Sequence, residues 1–314
     1  MNVLSLFDGM SCGQIALNRA GIKYENYFAS EIDKYAIKVT QNNYPNTKQL
    51  GDVTKIDVSK LPKIDLLIGG SPCQGFSLAG KMLNFDDERS KLFFEYLRIL
   101  KDIRKQNPSV KFLLENVKMK QEWKNIIDDL LGVKGVFINS NLVSAQNRPR
   151  WYWTNISEIN QPEDQNIFLE DILQDKVPEK YYIKEGRLEW LKKFGEIKIK
   201  NGYVAFNPDK VKCLTARGEP SRNTAYILQW PRGYNDGGVK SINGKTPSLT
   251  RSGWEHNNLL LVKGFVRKLT PIECEMLQTV PDNYTSIVSD AQRYKMLGNG
   301  WTVDVIVHIF QGLK

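Results

Sequence analysis

The chain has 314 residues, of which 41% are hydrophobic, and its formal net charge is +9. This length exceeds one average domain and predicts a large unit together with a smaller one. No apolar run reaches the length of a membrane span and no secretory signal pattern opens the chain, so we expect a cytosolic or nuclear protein. The basic balance fits a polyanionic partner such as nucleic acid, although many basic proteins bind none.

Cysteine and histidine usage argues against a metal centre. The four cysteines, Cys12, Cys73, Cys213 and Cys274, are far apart and form no CxxC pair. The only histidines, His256 and His308, are too few for a histidine-based site. We therefore expect neither a bound metal nor a disulfide framework.

The amino-terminal segment is typical of a nucleotide-binding unit. An apolar strand over Val3 to Phe7 precedes the turn DGMSCG (residues 8–13), and a helix is predicted over Gln14 to Ala20. A strand, a glycine-containing turn and a helix together bind nucleotide-like ligands. Because the glycines are not spaced GxGxxG, a dinucleotide is not favoured.

Acidic residues stand at the ends of the next two predicted strands. Glu31 follows the strand Tyr27 to Ser30, and Asp52 ends a third segment. An acid at such a position accepts hydrogen bonds from ribose hydroxyls, whereas an exposed carboxylate without a ligand is the alternative for each one alone. Their recurrence at successive strand ends favours an adenosyl ligand, which needs such acceptors.

The next strand leads to a candidate nucleophile. Ile64 to Ile68 form a short apolar run typical of a strand buried on both faces, which the pair Gly69–Gly70 is predicted to end. Pro72 fixes its own φ and biases Ser71 toward an extended conformation. Cys73 therefore lies on a constrained turn at the carboxyl end of a parallel strand, where α/β sheets bind ligands. Packing of a buried free cysteine is the alternative.

Three further features follow in the first half of the chain. The polar segment 78–89 precedes a helix predicted over Ser90 to Lys105, and it is either a passive connection or a lid that closes over a substrate. The buried strand Lys111 to Asn116 contains Glu115. A strand over Phe137 to Asn141 is followed by QNRPR (146–150) and an aromatic strand over 151–153.

These segments together resemble the cytosine-5 DNA methyltransferases. The sequence reads PCQ at 72–74, ENV at 115–117 and QxRxR at 146–150, in the family's order and each beside a predicted strand. The resemblance implies an α/β fold with a doubly wound, mostly parallel sheet, the S-adenosylmethionine-dependent methyltransferase fold. It implies S-adenosyl-L-methionine as cofactor, S-adenosyl-L-homocysteine as product, and cofactor contacts at Phe7, Asp8, Gly9, Gly13, Glu31, Ile32, Asp52, Val53, Pro72, Asn299 and Trp301. The turn after the first strand is similar to that of the animal de novo enzymes.

The chemistry of cytosine explains why such residues are needed. Carbon 5 is a poor nucleophile, and attack of a Cys73 thiolate on carbon 6 makes carbon 5 enamine-like. The cations Arg148 and Arg150 favour the thiolate. Glu115, held protonated, donates to ring nitrogen 3, and Arg150 holds the carbonyl oxygen. In a duplex the base is stacked, so it must be flipped out of the helix.

From about residue 156 the alternation of strands and helices stops. Residues 198–263 contain eleven Lys or Arg against four acids, and the segments 211–218 and 246–253 share the pattern Leu-Thr-x-x-Gly. Loops of this composition contact phosphates and base edges, although a solvated insertion is the alternative. In the family this region is the target recognition domain, a smaller, irregular β-rich unit. The expected DNA contacts are Gln74, Ser77, Arg89, Arg217, Arg222, Arg232 and Arg251.

The carboxyl-terminal segment returns to the catalytic unit. Thr270 and Glu273 have capping-box spacing, with Pro271 at the first helical position, within a segment that resembles the family's interdomain motif. YKMLGNGW (294–301) resembles the last motif, which lies beside the first and completes the cofactor pocket. We therefore expect a catalytic domain over 1–155, a recognition domain over 156–264 and a return over 265–314.

The sequence thus predicts a DNA (cytosine-5-)-methyltransferase of bacterial or phage type that acts on a short duplex sequence through a Cys73 adduct. We expect a monomer whose activity does not require a cognate restriction endonuclease. Two alternatives stay open. A transfer-RNA cytosine-5 methyltransferase would have a much smaller insert, and an inactive DNA-binding module is disfavoured by the presence of Cys73, Glu115 and Arg150.

Overall fold

The computed structural model describes residues 1–71, 88–157, 159–183, 197–200, 203–206, 226–229, 238–240, 245–249, 259–262 and 265–314. Nearly all of the predicted lid and much of the predicted recognition domain therefore lie outside the described residues.

A seven-stranded sheet forms the centre of the fold. In chain order the first strands are β1 (Asn2–Leu6), β2 (Asn26–Ser30), β3 (Lys48–Gln49), β4 (Leu66–Gly70), β5 (Lys111–Val117), β6 (Val136–Asn139), β7 (Gln146–Asn147) and β8 (Pro149–Thr154). The sheet order is β3-β2-β1-β4-β5-β8-β6. Pairing is parallel from β3 to β5, and β8 is antiparallel to both of its neighbours.

Helices cover both faces of this sheet. They are α1 (Cys12–Arg19), α2 (Lys34–Asn43), α3 (Glu88–Gln106), α4 (Gln121–Leu131), α5 (Leu169–Ile172), α6 (Pro271–Leu277), α7 (Asp290–Asn299) and α8 (Val303–Phe310). Leu66 and Ile68 of β4 belong to a core shared with α1 and α8, whereas Leu67 between them belongs to a core shared with α3. Burial on both faces explains why this strand is continuously apolar and confirms the predicted doubly wound fold.

The sheet order places a crevice beside β1. The chain runs outward from β1 to β2 and β3, and then returns to the opposite side of β1 as β4. At such a reversal the helices that follow the two neighbouring strands lie on opposite faces, so the carboxyl ends of the strands border an open crevice. The sequences that follow β1, β2, β4 and β5 are therefore brought to one edge.

β4 ends at Gly70, as predicted, but both glycines are paired within the strand and neither has the positive φ that would let the backbone turn away. Gly69 pairs with Leu6 and Leu114, and Gly70 pairs with Glu115. A Cβ atom on Gly69 would lie 3.2 Å from the Tyr96 ring. These positions lack side chains because neighbouring groups approach the strand closely, and not because the backbone turns there.

The first helix also begins earlier than predicted, at Cys12 and not at Gln14. Gly13 therefore lies in the first turn of α1 and not in the preceding loop. A Cβ atom there would lie 2.4 Å from Ile68 Cδ1 and 2.7 Å from the Tyr27 hydroxyl oxygen. The glycine lets the helix pack directly on the sheet.

The described parts of the insert consist of short strands. They are β9 (Ile197–Lys200), β10 (Tyr203–Phe206), β11 (Tyr226–Gln229), β12 (Gly238–Lys240), β13 (Thr246–Pro247), β14 (Leu259–Val262) and β15 (Phe265–Lys268). β9 pairs with β10, and a four-stranded antiparallel sheet has the order β12-β11-β14-β15. The β14–β15 hairpin spans the boundary that we predicted between residues 264 and 265.

The carboxyl-terminal return packs against the first strand and helix. α8 lies on α1, and Arg19 Nη1 is 2.7 Å from Asp304 Oδ1. The Tyr284 hydroxyl donates to the Met10 carbonyl over 2.7 Å. Among the described helices, none has both the length and the apolar character required to cross a bilayer.

A buried ion pair fixes the entry to α6. Glu273 is fully buried and accepts two hydrogen bonds from Arg267, each 2.7 Å long. The same carboxylate accepts from the Thr270 amide, and the Glu273 amide donates to the Thr270 hydroxyl, which completes the predicted capping box. The interdomain motif is therefore one compact hydrogen-bonded unit.

Glu273→Ala tests this unit. Removing the carboxylate leaves the Arg267 guanidinium buried without its charged partner, so we expect the free energy of unfolding to fall by about 3–5 kcal/mol. Urea titration followed by circular dichroism gives this value.

Lys60→Ala is the matched control, because it breaks an ion pair of 3.5 Å whose side chains are 80% and 48% exposed. Exposed pairs contribute little, and we expect a change within about 0.5 kcal/mol. Equal effects of the two variants would contradict the structural role of the buried pair.

Candidate active site

A cleft of about 500 Å³ lies at the carboxyl edge of the sheet. It is bordered by the turns that follow β1, β2, β4 and β5 and by the end of α7. Twelve of the residues predicted for the site line it, namely Phe7, Asp8, Gly9, Glu31, Ile32, Asp52, Val53, Glu115, Arg148, Arg150, Asn299 and Trp301. Sequence positions that are up to 294 residues apart (Phe7 and Trp301) therefore share one cavity.

Of the predicted site residues whose side chains the structure describes, Gly13 does not line the cleft. Gly13 lies in α1, where it packs on β4. Pro72, Cys73, Gln74 and Ser77 lie outside the described residues, as do Arg217, Arg222, Arg232 and Arg251. Arg89 is in α3, but its side chain is also outside the described part of the chain.

The turn between β1 and α1 has an unusual backbone that Asp8 stabilises. Phe7, Gly9 and Ser11 have φ values of 57°, 59° and 67°, in the left-handed region. The Tyr27 hydroxyl donates to Asp8 Oδ1 and the Ser11 hydroxyl to Oδ2, each over 2.7 Å. Two hydrogen bonds to one carboxylate thus hold a conformation that non-glycine residues rarely adopt.

Burial of Asp8 shifts its titration. Desolvation raises the pKa of this carboxyl from its ordinary 3.8 to about 6, although the hydroxyl hydrogen bonds act in the opposite direction. At neutral pH the folded protein therefore holds an ionised but largely desolvated carboxylate in this turn.

Glu31 and the residue after it form one wall of the cleft. The Glu31 carboxylate accepts hydrogen bonds from the backbone amides of Gly9, Ile32 and Asp33, at 2.7–2.8 Å. These bonds join the ends of β1 and β2. Ile32 is 78% exposed although it is a large apolar residue, so it offers the cleft an apolar surface.

Asp52 caps the short turn Val53–Lys55. Its Oδ1 accepts from both the amide and the hydroxyl of Thr54, at 2.9 Å each, and these bonds lower the pKa of the carboxyl. No described residue donates to its Oδ2, which keeps an acceptor for another group. At the mouth of the same cleft, Lys295 Nζ of α7 contacts Asp33 Oδ2 at 2.6 Å.

The other end of the cleft contains a hydrogen-bonded carboxylate. Arg150 Nε forms an ion pair with Glu115 Oε1 at 2.8 Å, and Trp301 Nε1 donates to Oε2 over 3.1 Å. Glu115 and Arg150 lie on the antiparallel strands β5 and β8, two register positions apart. The ENV and QxRxR motifs and the last motif thus meet at one side chain.

Asn116, which our residue-level predictions omitted, links β5 to the turn that leads to Cys73. It is buried, and its Nδ2 donates to the Ser71 carbonyl at 3.3 Å and to the Ser71 hydroxyl at 3.1 Å. Its own amide oxygen accepts from the Val117 backbone at 2.8 Å. Asn116 is the second residue of the ENV motif, and its place in that motif could have indicated that it belongs to the site.

Arg148 is a buried connector among three chain segments. Its Nη1 donates to the Leu249 carbonyl at 2.9 Å, and its Nη2 donates to the carbonyls of Gly298 and Gly300 at 3.1 and 2.9 Å. Burial lowers the pKa of this guanidinium to about 9, so it stays charged at neutral pH. All of these bonds go to backbone oxygens.

Gln146, the first residue of QxRxR, holds the same segment and was also missed. Its Oε1 accepts from the Leu249 amide at 2.8 Å, while Arg148 binds the Leu249 carbonyl. The adjacent β13 pairs in parallel with β7. Gln146 and Arg148 therefore bind the backbone amide and carbonyl of Leu249, which lies in the second Leu-Thr-x-x-Gly segment.

The cysteines described in the structure are unsuited to nucleophilic attack. Cys12 and Cys274 are free thiols. Both are buried, and desolvation raises the pKa of Cys12 to about 12 and that of Cys274 well above its usual range. No group of three or more potential ligands that could hold a metal ion occurs in the described part of the chain.

The titration of Asp8 gives a testable consequence. The pKa of Asp8 is higher in the folded protein than in the unfolded chain. Its contribution to the free energy of unfolding is therefore greatest below about pH 3.8 and falls by about 3 kcal/mol in total as the pH rises through about 6. Asp8→Asn removes this titration. In urea unfolding between about pH 4 and about pH 7, we expect the variant to gain stability relative to the parent as the pH rises. A pH-independent difference would contradict the raised pKa.

Comparisons with known proteins identify the family of the chain. The family model of the C-5 cytosine-specific DNA methylases matches residues 1–314. Type II methyltransferase M1.ScrFI of Lactococcus lactis subsp. cremoris is 32% identical, over 97% of this chain and 75% of that protein. Type II methyltransferase M.NlaX of Neisseria lactamica is 31% identical, over 99% of this chain and 96% of that protein.

A solved structure shows the same fold. The methyltransferase EhMeth of Entamoeba histolytica matches 100% of this chain and 99% of its own, with a TM-score of 0.69 and 18% identity. The family match across the chain and the similarity to the curated methyltransferases confirm the predicted family and enzyme class. The chain belongs to the C-5 cytosine-specific DNA methylases and is a DNA cytosine-5 methyltransferase.

Proposed function

We propose that the chain methylates a flipped-out cytosine within a short duplex sequence, with S-adenosyl-L-methionine as methyl donor and Cys73 as nucleophile. The observation that carries this proposal is the composition of one cleft. Carboxylates at the ends of the first strands occupy one end, and the Glu115–Arg150 pair occupies the other. Ser71, two residues before Cys73, lies between them and is held by Asn116.

The first end of the cleft fits the proposed cofactor. Asp52 keeps a carboxylate oxygen for the ribose or the adenine amine, and Ile32 offers an apolar surface for a ring. The turn held by Asp8 brings backbone groups to the same cavity, whose volume is within the range of cofactor sites. When bound, S-adenosyl-L-methionine supplies the methyl group, and S-adenosyl-L-homocysteine is the product.

The second end supplies groups for activating the base. The Cys73 thiolate attacks carbon 6, and the electron pair of the 5,6 double bond moves toward nitrogen 3 and the carbonyl oxygen. Arg150 donates to that oxygen, and Glu115, after taking up a proton from water, passes it to nitrogen 3. Groups aimed at such developing charge contribute about 3–4 kcal/mol to transition-state stabilisation. After carbon 5 is methylated, a water molecule takes its proton, the carbon–sulfur bond breaks to release the thiolate, and nitrogen 3 returns its proton to Glu115.

Arg148 has a different part in this proposal. Its hydrogen bonds all go to backbone carbonyls, so it positions the cleft walls and adds positive charge without touching the base. The predicted division into 1–155, 156–264 and 265–314 assigns DNA recognition to the middle unit. A monomer in the cytoplasm of a bacterial or phage-infected cell, independent of a restriction endonuclease, completes the proposal.

Cys73→Ala tests the nucleophile. We expect methyl transfer to duplex DNA to fall by at least about 10³-fold, because loss of a nucleophile removes the covalent route, while cofactor binding is retained. Transfer of a tritiated methyl group and calorimetry with the cofactor measure the two properties. Cys274→Ala, a matched change of a buried cysteine outside the cleft, should keep activity. Full activity of Cys73→Ala would refute the mechanism.

Bisulfite sequencing of DNA from cells that express the chain identifies the substrate. We expect methylated cytosines within one short motif. Unmodified DNA together with methylated transfer RNA would favour the alternative substrate and overturn the proposal.

A DNA oligonucleotide with 5-fluorocytosine should trap the parent enzyme, but not Cys73→Ala, as a covalent adduct.

A further inference from the structure

We propose that the indole N–H of Trp301 is a positioning group for Glu115, in addition to any contact of the indole ring with the cofactor. The proposal rests on the proposed function, because it concerns how the proton donor to cytosine is held. Its starting point is the hydrogen bond of 3.1 Å from Trp301 Nε1 to Glu115 Oε2, across 186 positions of the chain.

The two oxygens of Glu115 have different donors. Arg150 Nε is 2.8 Å from Oε1, and Trp301 Nε1 is bound to Oε2. Arg150 forms an ion pair with Oε1, and the indole, which has no acceptor capacity, donates its N–H to Oε2 in every state of the carboxyl group. Together the donors define the plane of that group. Loss of one donor leaves the carboxyl group free to rotate away from ring nitrogen 3.

The absence of a side chain at Gly70 of β4 leaves room for the contact between Trp301 and Glu115. A Cβ atom on Gly70 would lie 2.9 Å from Glu115 Oε2 and 2.9 Å from Trp301 Nε1. Any side chain at this position would therefore separate the two atoms. The hydrogen bond passes directly over the last residue of β4, immediately before the turn that leads to Cys73.

The backbone that carries Trp301 is also anchored. The Gly300 carbonyl accepts from Arg148 Nη2 at 2.9 Å and from Gln278 Nε2 at 3.2 Å, and the Trp301 carbonyl accepts from the Cys12 thiol at 3.8 Å. A Cβ atom on Gly300 would lie 3.0 Å from Met10 Cε and 3.4 Å from Cys12 Sγ. Glycine at this position lets the segment lie close to α1, and the indole reaches Glu115 from a fixed base.

Trp301→Phe removes the N–H and keeps an apolar ring. We expect kcat to fall about 10- to 100-fold, the range for losing a hydrogen bond to a charged group, while KM for cofactor and for DNA changes less than about threefold. Single-turnover methyl transfer from tritiated cofactor to duplex DNA gives the rate of the chemical step.

Trp151→Phe is the matched control. Trp151 follows Arg150 on the same strand, and its buried Nε1 has no hydrogen-bond acceptor among the described residues. Trp151→Phe removes an N–H that donates to no described acceptor, so kcat should stay within about twofold of the parent value.

A double-mutant cycle separates positioning from a direct effect on the cofactor. In the Glu115→Ala background Trp301→Phe should cause no further loss, because the group on which it acts is gone. A kcat equal to that of the parent, or an undiminished loss in the Glu115→Ala background, would overturn the proposal. Absence of methylation by the parent chain would instead refute the proposed function.

Gly70→Ala provides a second route to the same question. It keeps Trp301 but inserts a methyl group between the indole nitrogen and the carboxylate, so we expect the same fall in kcat without a matching rise in KM. Circular dichroism tests whether each variant folds. If Trp301→Phe does not fold, Gly70→Ala tests the proposal in its place. An unchanged kcat in folded Gly70→Ala would contradict the positioning role.

Discussion

The site depends on one buried guanidinium and the three backbone carbonyls that it binds. Arg148 joins the segment after β13 to the end of α7, and both segments are distant in sequence from β8. A parallel sheet by itself brings together only the residues at its own strand ends. The insert and the carboxyl-terminal return need additional bonds to reach that edge, and a planar group with several donors supplies them in fixed directions.

This connection gives the QxRxR motif two tasks. Gln146 and Arg148 hold Leu249 by its amide and its carbonyl, while Arg150 contacts the carboxylate of Glu115. Residues i, i+2 and i+4 of an extended segment point to one side, which is why Gln146 and Arg148 both reach the insert, whereas Arg150 contacts Glu115 instead. The pairing of β7 ends before Arg148 and that of β8 begins at Pro149, so Arg150 belongs to a different strand from Gln146. In our proposal the same five residues attach the DNA-recognition unit and complete the catalytic end of the cleft.

Close approach of backbone and side chains is the second constraint on the site. Gly13 admits the Tyr27 hydroxyl that reaches Asp8, Gly70 admits the contact between Trp301 and Glu115, and Gly300 admits Met10 and Cys12. Each glycine thus makes room for a neighbour. The stability lost to a buried Asp8 carboxylate is partly offset by its two hydroxyl donors, and the ion pair of Arg267 with Glu273 fixes the distant entry to α6. The stability lost at Asp8 in the cleft is therefore accompanied by a stabilising ion pair at the start of α6.

The sequence by itself determined the doubly wound sheet, the family and the positions of the residues at the strand ends. Apolar runs of strand length and residues that begin or end helices are local properties, and the ordered motifs PCQ, ENV and QxRxR are read directly from the chain. The capping box at Thr270 was predicted correctly for the same reason. Only the tertiary structure decided that Gly69 and Gly70 continue β4, that Arg148 binds backbone carbonyls, and that the Trp301 indole contacts Glu115. These facts depend on which groups meet across the sheet, and distances between segments far apart in sequence are set by packing and not by local pattern.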